Sequence, residues 1–253
     1  MLAIIPAAGF ASRLKPLTDS CHKAMLPLGD TTMMAVIAEN LRLAGIRRII
    51  MITGYRADAL KEYIRSIGDY LQFDFVHNPD FTTTNNAYSL NLAAPLAAGR
   101  EFLLLDCDIL FEPDVLFRVK DCQAPNAIAV QRRINLGDEE MKIYSKDGMT
   151  VHRITKGGDP QKAFGESVGI EKCSAGFGFK LFDTLDRRIR NGNGRTEFYE
   201  AAFQSVIDGG ETLHMTDVTD FKVMEVDFPE DLRRAEKDIL PFLRRIHAQG
   251  TNP

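Results

Sequence analysis

A chain of 253 residues, 45% hydrophobic and 26% charged, has the make-up of a globular domain with a well-buried core. Its formal net charge of −4 gives no overall attraction for nucleic acid or anionic lipid, so a polyanionic ligand must be held by a local cluster of Lys and Arg. Four cysteines without CxxC spacing, no signal-peptide pattern at the N-terminus and no run of ~20 apolar residues argue against a zinc or disulfide framework, secretion and a membrane span, so a cytoplasmic protein is expected.

Leu2–Ile5 reads as a buried strand, followed by a Gly/Pro-punctuated loop to about Asp30. Met33–Ala44 has helical periodicity, with Val36, Ile37, Leu41 and Ala44 on one stripe and Gly45 as its stop. Strands are expected at Arg47–Thr53, Gln72–His77 and Phe102–Leu105, with helices at Ala57–Ile67 and Asn86–Ala98 between them. The middle of the chain offers short β-like runs, Ala127–Arg133, Met141–Ser145 and Val151–Thr155, with a hairpin turn at Lys146-Asp147-Gly148. Helical pattern returns at Phe179–Ile189 and Glu197–Ile207, then a strand at Lys222–Val226 and a final helix from Pro229. Alternation at this rhythm predicts βαβ units and a mostly parallel sheet, whose ligands sit beyond the carboxyl ends of the strands.

Chemistry concentrates at such ends. After the first strand, Ala7, Ala8 and Gly9 are small enough for backbone N–H groups to approach a phosphate, and Ser12, Arg13 and Lys15 follow in the same loop. Neither a GxxxxGK[ST] loop nor a GxGxxG fingerprint is present. Lys23 follows within His22-Lys23-Ala24-Met25-Leu26-Pro27-Leu28. The apolar strand Leu103-Leu104-Leu105 runs into Asp106 and Asp108, and a second apolar strand runs into Asp227. Paired buried carboxylates repel unless a divalent cation or a capping role resolves the conflict, and both readings stay open here. Glu225 is expected on the other face of its strand and ranks as the weaker ligand.

The run Ala7-Ala8-Gly9, Ser12-Arg13-Leu14, Pro16-Leu17-Thr18, trailed by Lys23–Leu28, resembles the signature of the nucleotidyltransferase superfamily. Two departures stand out. Phe10-Ala11 occupies the place of a small or aliphatic residue followed by glycine, and His22 the place of a frequent proline. The resemblance implies an α/β, Rossmann-like three-layer fold of the nucleotide-diphospho-sugar transferase type, with a mixed, mostly parallel sheet and a small β-rich insertion. It implies one domain over 1–253, with a nucleotide-binding half at 1–125, an acceptor-binding half at 126–235 and a C-terminal helix and tail at 236–253. It assigns Mg²⁺ to Asp108 and Asp227, with Asp106 as a water-mediated partner in the nucleotide site, Arg13 on the triphosphate and Lys23 near both phosphates.

The stretch Thr84-Asn85-Asn86-Ala87-Tyr88-Ser89-Leu90 is similar to the branch of phosphocholine and aminoalkylphosphonate cytidylyltransferases. Asn85 and Asn86 could read a base edge or cap a helix. Ile154-Thr155-Lys156 and Gly165-Glu166-Ser167-Val168-Gly169-Ile170 match the same branch, which implies Lys156 on the acceptor phosphate, Glu166 on a polar or cationic group, and Lys142 as a further candidate. The implied partners are an NTP, with CTP favoured, and a small phosphorylated acceptor. A homodimer is compatible, and neither nucleic acid nor membrane has a role. Phosphate oxygens with a second pKa near ~6 are ionised at neutral pH, so the attack on the α-phosphorus needs no general base. The lack of Trp shifts the acceptor from choline toward a phosphonate, polyol phosphate or aminoalcohol phosphate. Two other readings are a sugar-1-phosphate nucleotidyltransferase using UTP or dTTP, and a non-catalytic nucleotide-binding module.

Overall fold

The computed structural model describes residues 1–68, 70–133, 136–192 and 194–250; the expected tail at 251–253 lies outside them. Its strands are β1 (Leu2–Ala7), β2 (Pro27–Leu28), β3 (Thr31–Thr32), β4 (Arg48–Thr53), β5 (Gln72–His77), β6 (Phe102–Leu105), β7 (Ile109–Phe111), β8 (Ala127–Gln131), β9 (Lys142–Tyr144), β10 (Arg153–Thr155), β11 (Gly165–Cys173), β12 (His214–Asp217) and β13 (Val223–Glu225). The helices are α1 (Met33–Leu43), α2 (Ala57–Ser66), α3 (Asn86–Asn91), α4 (Ala94–Ala97), α5 (Pro113–Lys120), α6 (Ala175–Arg190), α7 (Glu200–Asp208), α8 (Pro229–Arg234) and α9 (Leu240–Gly250). No helix among the described residues is long and apolar enough to cross a membrane.

In the main sheet, β6, β1, β4 and β5 run side by side and parallel. β11 then runs antiparallel to β6 and, on its other flank, to β8, which pairs parallel with β12. The start of β11 also carries the β9–β10 hairpin. All six residues of β1 are buried, and their alternation feeds two cores. Ala3, Ile5, Met51, Leu103 and Leu105 meet α1, α2 and α5 on one face. Ile4, Ile50, Ile52 and Leu104 meet α3, α6 and α7 on the other. Each buried isoleucine or leucine there contributes about 1.5–3 kcal/mol, so the strand pattern alone dictates three layers.

Two differences from the sequence expectations have local causes. The helix expected over Asn86–Ala98 is broken into α3 and α4, because Pro95 has no N–H to continue the ladder and instead starts a new turn. β11 was expected only as a motif; its Gly165, Glu166, Ser167 and Gly169 hide a strand that neighbours on both flanks impose.

A third core brings distant segments together. Leu28, Met33 and Val36 pack with Leu110, Met224, Val226 and the C-terminal Ala235, Ile239, Leu240 and Leu243. This cluster backs a separate two-stranded ribbon in which β13 lies antiparallel to β7, with Glu225 opposite Ile109.

Candidate active site

The chain leaves β1 through three short 3-10 turns, Ser12–Leu14, Leu17–Asp19 and Lys23–Met25. Ala11 enters the first of them in the left-handed region, at φ 49 and ψ 56. Thr18 Oγ1 donates to the Ala11 carbonyl at 3.1 Å and Leu14 N–H donates to it at 3.0 Å, which holds that conformation. A β-carbon there costs about 1–2 kcal/mol, whereas glycine adopts the same angles freely. Ala11→Gly is therefore expected to raise Tm by about 2 °C in scanning calorimetry after the looser unfolded chain is counted. An unchanged or lower Tm would show that the loop is not strained at Ala11.

His22 is buried and spans the base of the loop. Its Nδ1 accepts from Ala24 N–H at 3.1 Å, so its Nε2 carries the proton and donates to the Ala7 carbonyl at 3.0 Å. Burial pushes its pKa down to about 4, and the ring is neutral at ordinary pH. His22 thus ties the end of β1 to the turn that carries Lys23. The sequence reading gave this residue no role, although its position beside Lys23 was a signal.

The β7–β13 ribbon builds the acidic part of the site. Asp108 precedes β7, Asp227 follows β13, and Val226 N–H donates to the Asp108 carbonyl at 2.9 Å. Carboxylate oxygens of Asp108, Glu225 and Asp227 all lie within 4.8 Å of one another. Glu225 is a correction: residues two apart in extended chain share a face, so it joins Asp227 instead of turning away. Nor does Asp227 cap α8. Phe228 is the N-cap residue, and Asp231 Oδ2 accepts from the N–H groups of Asp227 and Phe228 at 3.2 and 2.9 Å.

Two cations answer these acids. Lys23 Nζ lies 2.9 Å from Asp108 Oδ2 and 2.8 Å from Asp227 Oδ1, and Arg13 lies 2.7 Å from Asp227 Oδ2. Burial works against the charge on Lys23, but Asp108 and Asp227 outweigh it and hold the ammonium well above its usual range. Burial likewise works against the Asp227 carboxylate, which Lys23 and Arg13 hold below the usual range. Asp106 sits beside them, half-buried at the edge of the recess. Burial and the Asp108 charge push its carboxyl well up, and Tyr199 Oη donates to its Oδ2 at 3.1 Å. Gly169, at φ 70, leaves room for this carboxyl, since an added Cβ would stand 2.5 Å from Asp106 Oδ2.

An open recess of about 740 Å³ joins these groups to residues from β11, α7 and the 139–141 segment before β9. Ala8, Gly9, Ser12, Arg13, Lys23, Asn85, Asn86, Asp106, Asp108 and Asp227 line it on the loop side. Ala7 does not; its carbonyl serves His22. Asn85 Oδ1 caps α3 by accepting from Asn86 N–H at 2.8 Å, and Asn86 Oδ1 accepts from Tyr199 N–H at 2.8 Å. Lys156 also lines it, its Nζ 4.4 Å from the centre of the Phe198 ring and 3.5 Å from Glu139 Oε2, the oxygen that Arg13 approaches at 3.4 Å. Glu166 pairs with Arg133 at 2.8 Å, while burial pushes its carboxyl up to about 7. Lys142, the further acceptor candidate, does not line the recess. It is 1% exposed, and its ammonium donates to the carbonyls of Glu140 and Lys156 at 3.3 and 2.5 Å, bracing the segment that carries Lys156.

The profile of the nucleotidyl transferase family matches residues 2–134, which hold the loop, Lys23, Asp106 and Asp108. The chain belongs to this family. Among relatives of this nucleotidyltransferase, the choline-phosphate cytidylyltransferase of Streptococcus pneumoniae is 36% identical over 241 residues, covering 94% of this chain and 97% of that one. The CMP-5'-(3-aminopropyl)phosphonate synthase of Streptomyces rubellomurinus is 27% identical over 253 residues, covering 92% of this chain; the chain spans 38% of that relative's length. The solved structure of a CTP:phosphocholine cytidylyltransferase from Streptococcus pneumoniae superposes with a TM-score of 0.73 at 22% identity, covering 93% of this chain and 97% of that one. That likeness shows the shared fold.

In this nucleotidyltransferase the acidic triad consists of hard oxygen donors, clustered and partly open to the recess, with no thiol or imidazole among them. Such a set fits a divalent cation that shares its coordination with phosphate oxygens. Lys23 and Arg13 stand on the same carboxylates, so the positive charge needed by a polyanion is already concentrated there.

Proposed function

We propose that the chain transfers a cytidylyl group from CTP to a small phosphorylated or phosphonylated acceptor and releases pyrophosphate. One observation carries this reading: Lys23, Arg13 and the Asp108–Glu225–Asp227 triad share a single recess with Lys156. Two anionic subsites thus share one cavity. The choice of CTP is supported by the cytidylyl transfer that the relatives above perform and by the Asn85–Asn86 pair at the recess wall.

The acceptor oxygen arrives ionised, and the chemistry needs position and charge more than a base. His22, which also borders the recess, is unsuited to proton transfer because both ring nitrogens are engaged by backbone. Arg13 and Lys23 turn from carboxylates to phosphate oxygens as the nucleotide enters, and each such contact contributes ~2–4 kcal/mol in the transition state. Lys156 holds the acceptor phosphate, steadied by Lys142 beneath it. Mg²⁺ held by Asp108 and Asp227, with Glu225 alongside, would neutralise charge that builds between the α-phosphate and the leaving group. Asn85 and Asn86 would present amide groups to the cytosine edge.

Pyrophosphate release with Mg²⁺, measured for five NTPs against a panel of phosphorylated acceptors, tests the proposal. Turnover with CTP exceeding UTP and dTTP by about 10- to 100-fold is expected, the ~1–3 kcal/mol by which a side-chain contact to a base edge discriminates. Turnover with UTP or dTTP and a hexose 1-phosphate alone would replace the cytidylyl reading with the sugar-nucleotide one.

A further inference from the structure

Segment 195–199, which leads into α7, holds the start of α3 in place. Asn85 N–H donates to the Arg195 carbonyl at 2.8 Å, and Asn85 Nδ2 donates to the Thr196 carbonyl at 3.4 Å. Ala87 N–H donates to the Glu197 carbonyl at 3.4 Å. Ion pairs of Glu197 with Arg188 and of Arg195 with Asp80, both at 2.8 Å, tie the segment to α6 and to the turn after β5. It ends at Tyr199, which is 0% exposed and packs on Phe203 with ring centroids 5.8 Å apart.

Tyr199 does not line the recess, yet it donates two hydrogen bonds to residues that do. Its backbone N–H donates to Asn86 Oδ1 at 2.8 Å, which fixes that amide by its oxygen. Its Oη donates to Asp106 Oδ2 at 3.1 Å, the sole hydrogen bond that the Asp106 carboxyl makes among the described residues. Gly169 flanks the same oxygen, and its carbonyl accepts from Asp106 N–H at 2.9 Å. A buried phenol needs an acceptor, and a backbone carbonyl would serve that need. Here the acceptor is a carboxylate two residues from Asp108 and repelled by its charge. Without the hydroxyl, no hydrogen bond among the described residues holds that carboxyl against the repulsion.

We propose that Tyr199 is a positioning residue for the metal site: its hydroxyl sets the Asp106 carboxyl for the hydrated cation of the acid triad, while its backbone seats Asn86 on the base wall. One buried residue of the acceptor half thus keeps two parts of the nucleotide half in register. This deepens the reading of the preceding subsection and rests on it. Tyr199 acts through Asp106 and touches neither substrate nor cation.

Tyr199→Phe removes the hydroxyl and keeps the ring and the backbone bond to Asn86. Metal affinity of the free chain is titrated with Mn²⁺, a paramagnetic stand-in for Mg²⁺ that takes the same oxygen donors. It is expected to weaken about 10-fold, the usual cost of losing a group that orients a ligand. In turnover with CTP and Mg²⁺, kcat is expected to fall about 10-fold while KM for CTP stays within about twofold. Asp106→Asn is expected to weaken Mn²⁺ binding at least as much, and adding Tyr199→Phe to it should cost nothing more.

A lower Tm with unchanged Mn²⁺ affinity and kcat would make Tyr199 a packing residue and overturn the assignment. Losses that add in the double variant overturn it too, since the hydroxyl then acts elsewhere than on Asp106. So does a wild-type chain that binds no Mn²⁺. If Tyr199→Phe does not fold, Gly169→Ala decides, because its methyl presses on the same Asp106 oxygen. Weakened Mn²⁺ binding in that variant keeps the assignment, and unchanged binding sinks it. If CTP is not used, the cytidylyl reading fails alone, and the Mn²⁺ titrations still decide for Tyr199.

Discussion

Asp227→Asn is expected to lower kcat about a thousandfold, a loss of ~4 kcal/mol in transition-state stabilisation, when pyrophosphate release is followed at saturating CTP. Asn keeps the shape of the side chain but removes the charge that Asp227 contributes to the triad. The helix start should survive, because Asp231 caps the N–H groups of residues 227 and 228. Lys23 keeps Asp108 while Arg13 loses its nearest carboxylate, so the variant should melt about 2–4 °C below wild type, about 1 kcal/mol for a chain of this size, while its affinity for Mg²⁺, measured by calorimetry, falls tenfold or more. Turnover near the wild-type level would remove Asp227 from the reaction and leave its ion pairs as purely structural.

Lys23→Met separates charge balance from catalysis. Lys23 is 6% exposed and bonds both Asp108 and Asp227, so its loss leaves two adjacent carboxylates with Arg13 as their remaining direct cationic partner among the described residues. Breaking a buried pair in this way costs about 3 kcal/mol, which corresponds to a Tm about 6–12 °C lower for a chain of this size. Millimolar Mg²⁺ is expected to return most of that stability, since a divalent cation supplies the missing charge. It should not return activity: kcat stays about 100-fold or more down, because the contact to the phosphates is gone. A melting curve insensitive to both the substitution and Mg²⁺ would mean that the pairing is not what stabilises this corner.

Much of this architecture could be read from the chain. The alternation of Leu2–Ile5, Arg47–Thr53 and Phe102–Leu105 with amphipathic segments gave the parallel strands and the helices on both faces, since continuous apolar runs require burial on two sides. Helix α5 went unread although Pro113 marks its first turn and Val115, Leu116 and Val119 make its stripe. Strand β11 was not legible, because a strand held between two neighbours tolerates Gly165, Glu166 and Glu171, which no local pattern favours.

The site divides in the same way. Arg13 and Lys23 lie in the loop after β1, and Asp108 and Asp227 flank β7 and β13, where sequence reasoning looks first, and the structure brings them together. What the sequence left unread was pairing. That β13 lies against β7 is a long-range fact, and with it comes Glu225. Lys142 is legible as a candidate, but its burial beneath Lys156 comes from tertiary contacts that a linear pattern does not encode.

The β7–β13 ribbon also sets a schedule for the nascent chain. Strands β1, β4, β5 and β6 come from the first part of the sequence and can pair as they emerge from the ribosome, whereas Asp108 must wait for a partner more than a hundred residues downstream. During that interval a growing chain can hold its nucleotide loop in place yet lacks the complete acid cluster. Competence to turn over CTP therefore arrives late in synthesis, when residues 223–227 dock and the C-terminal helices close over them.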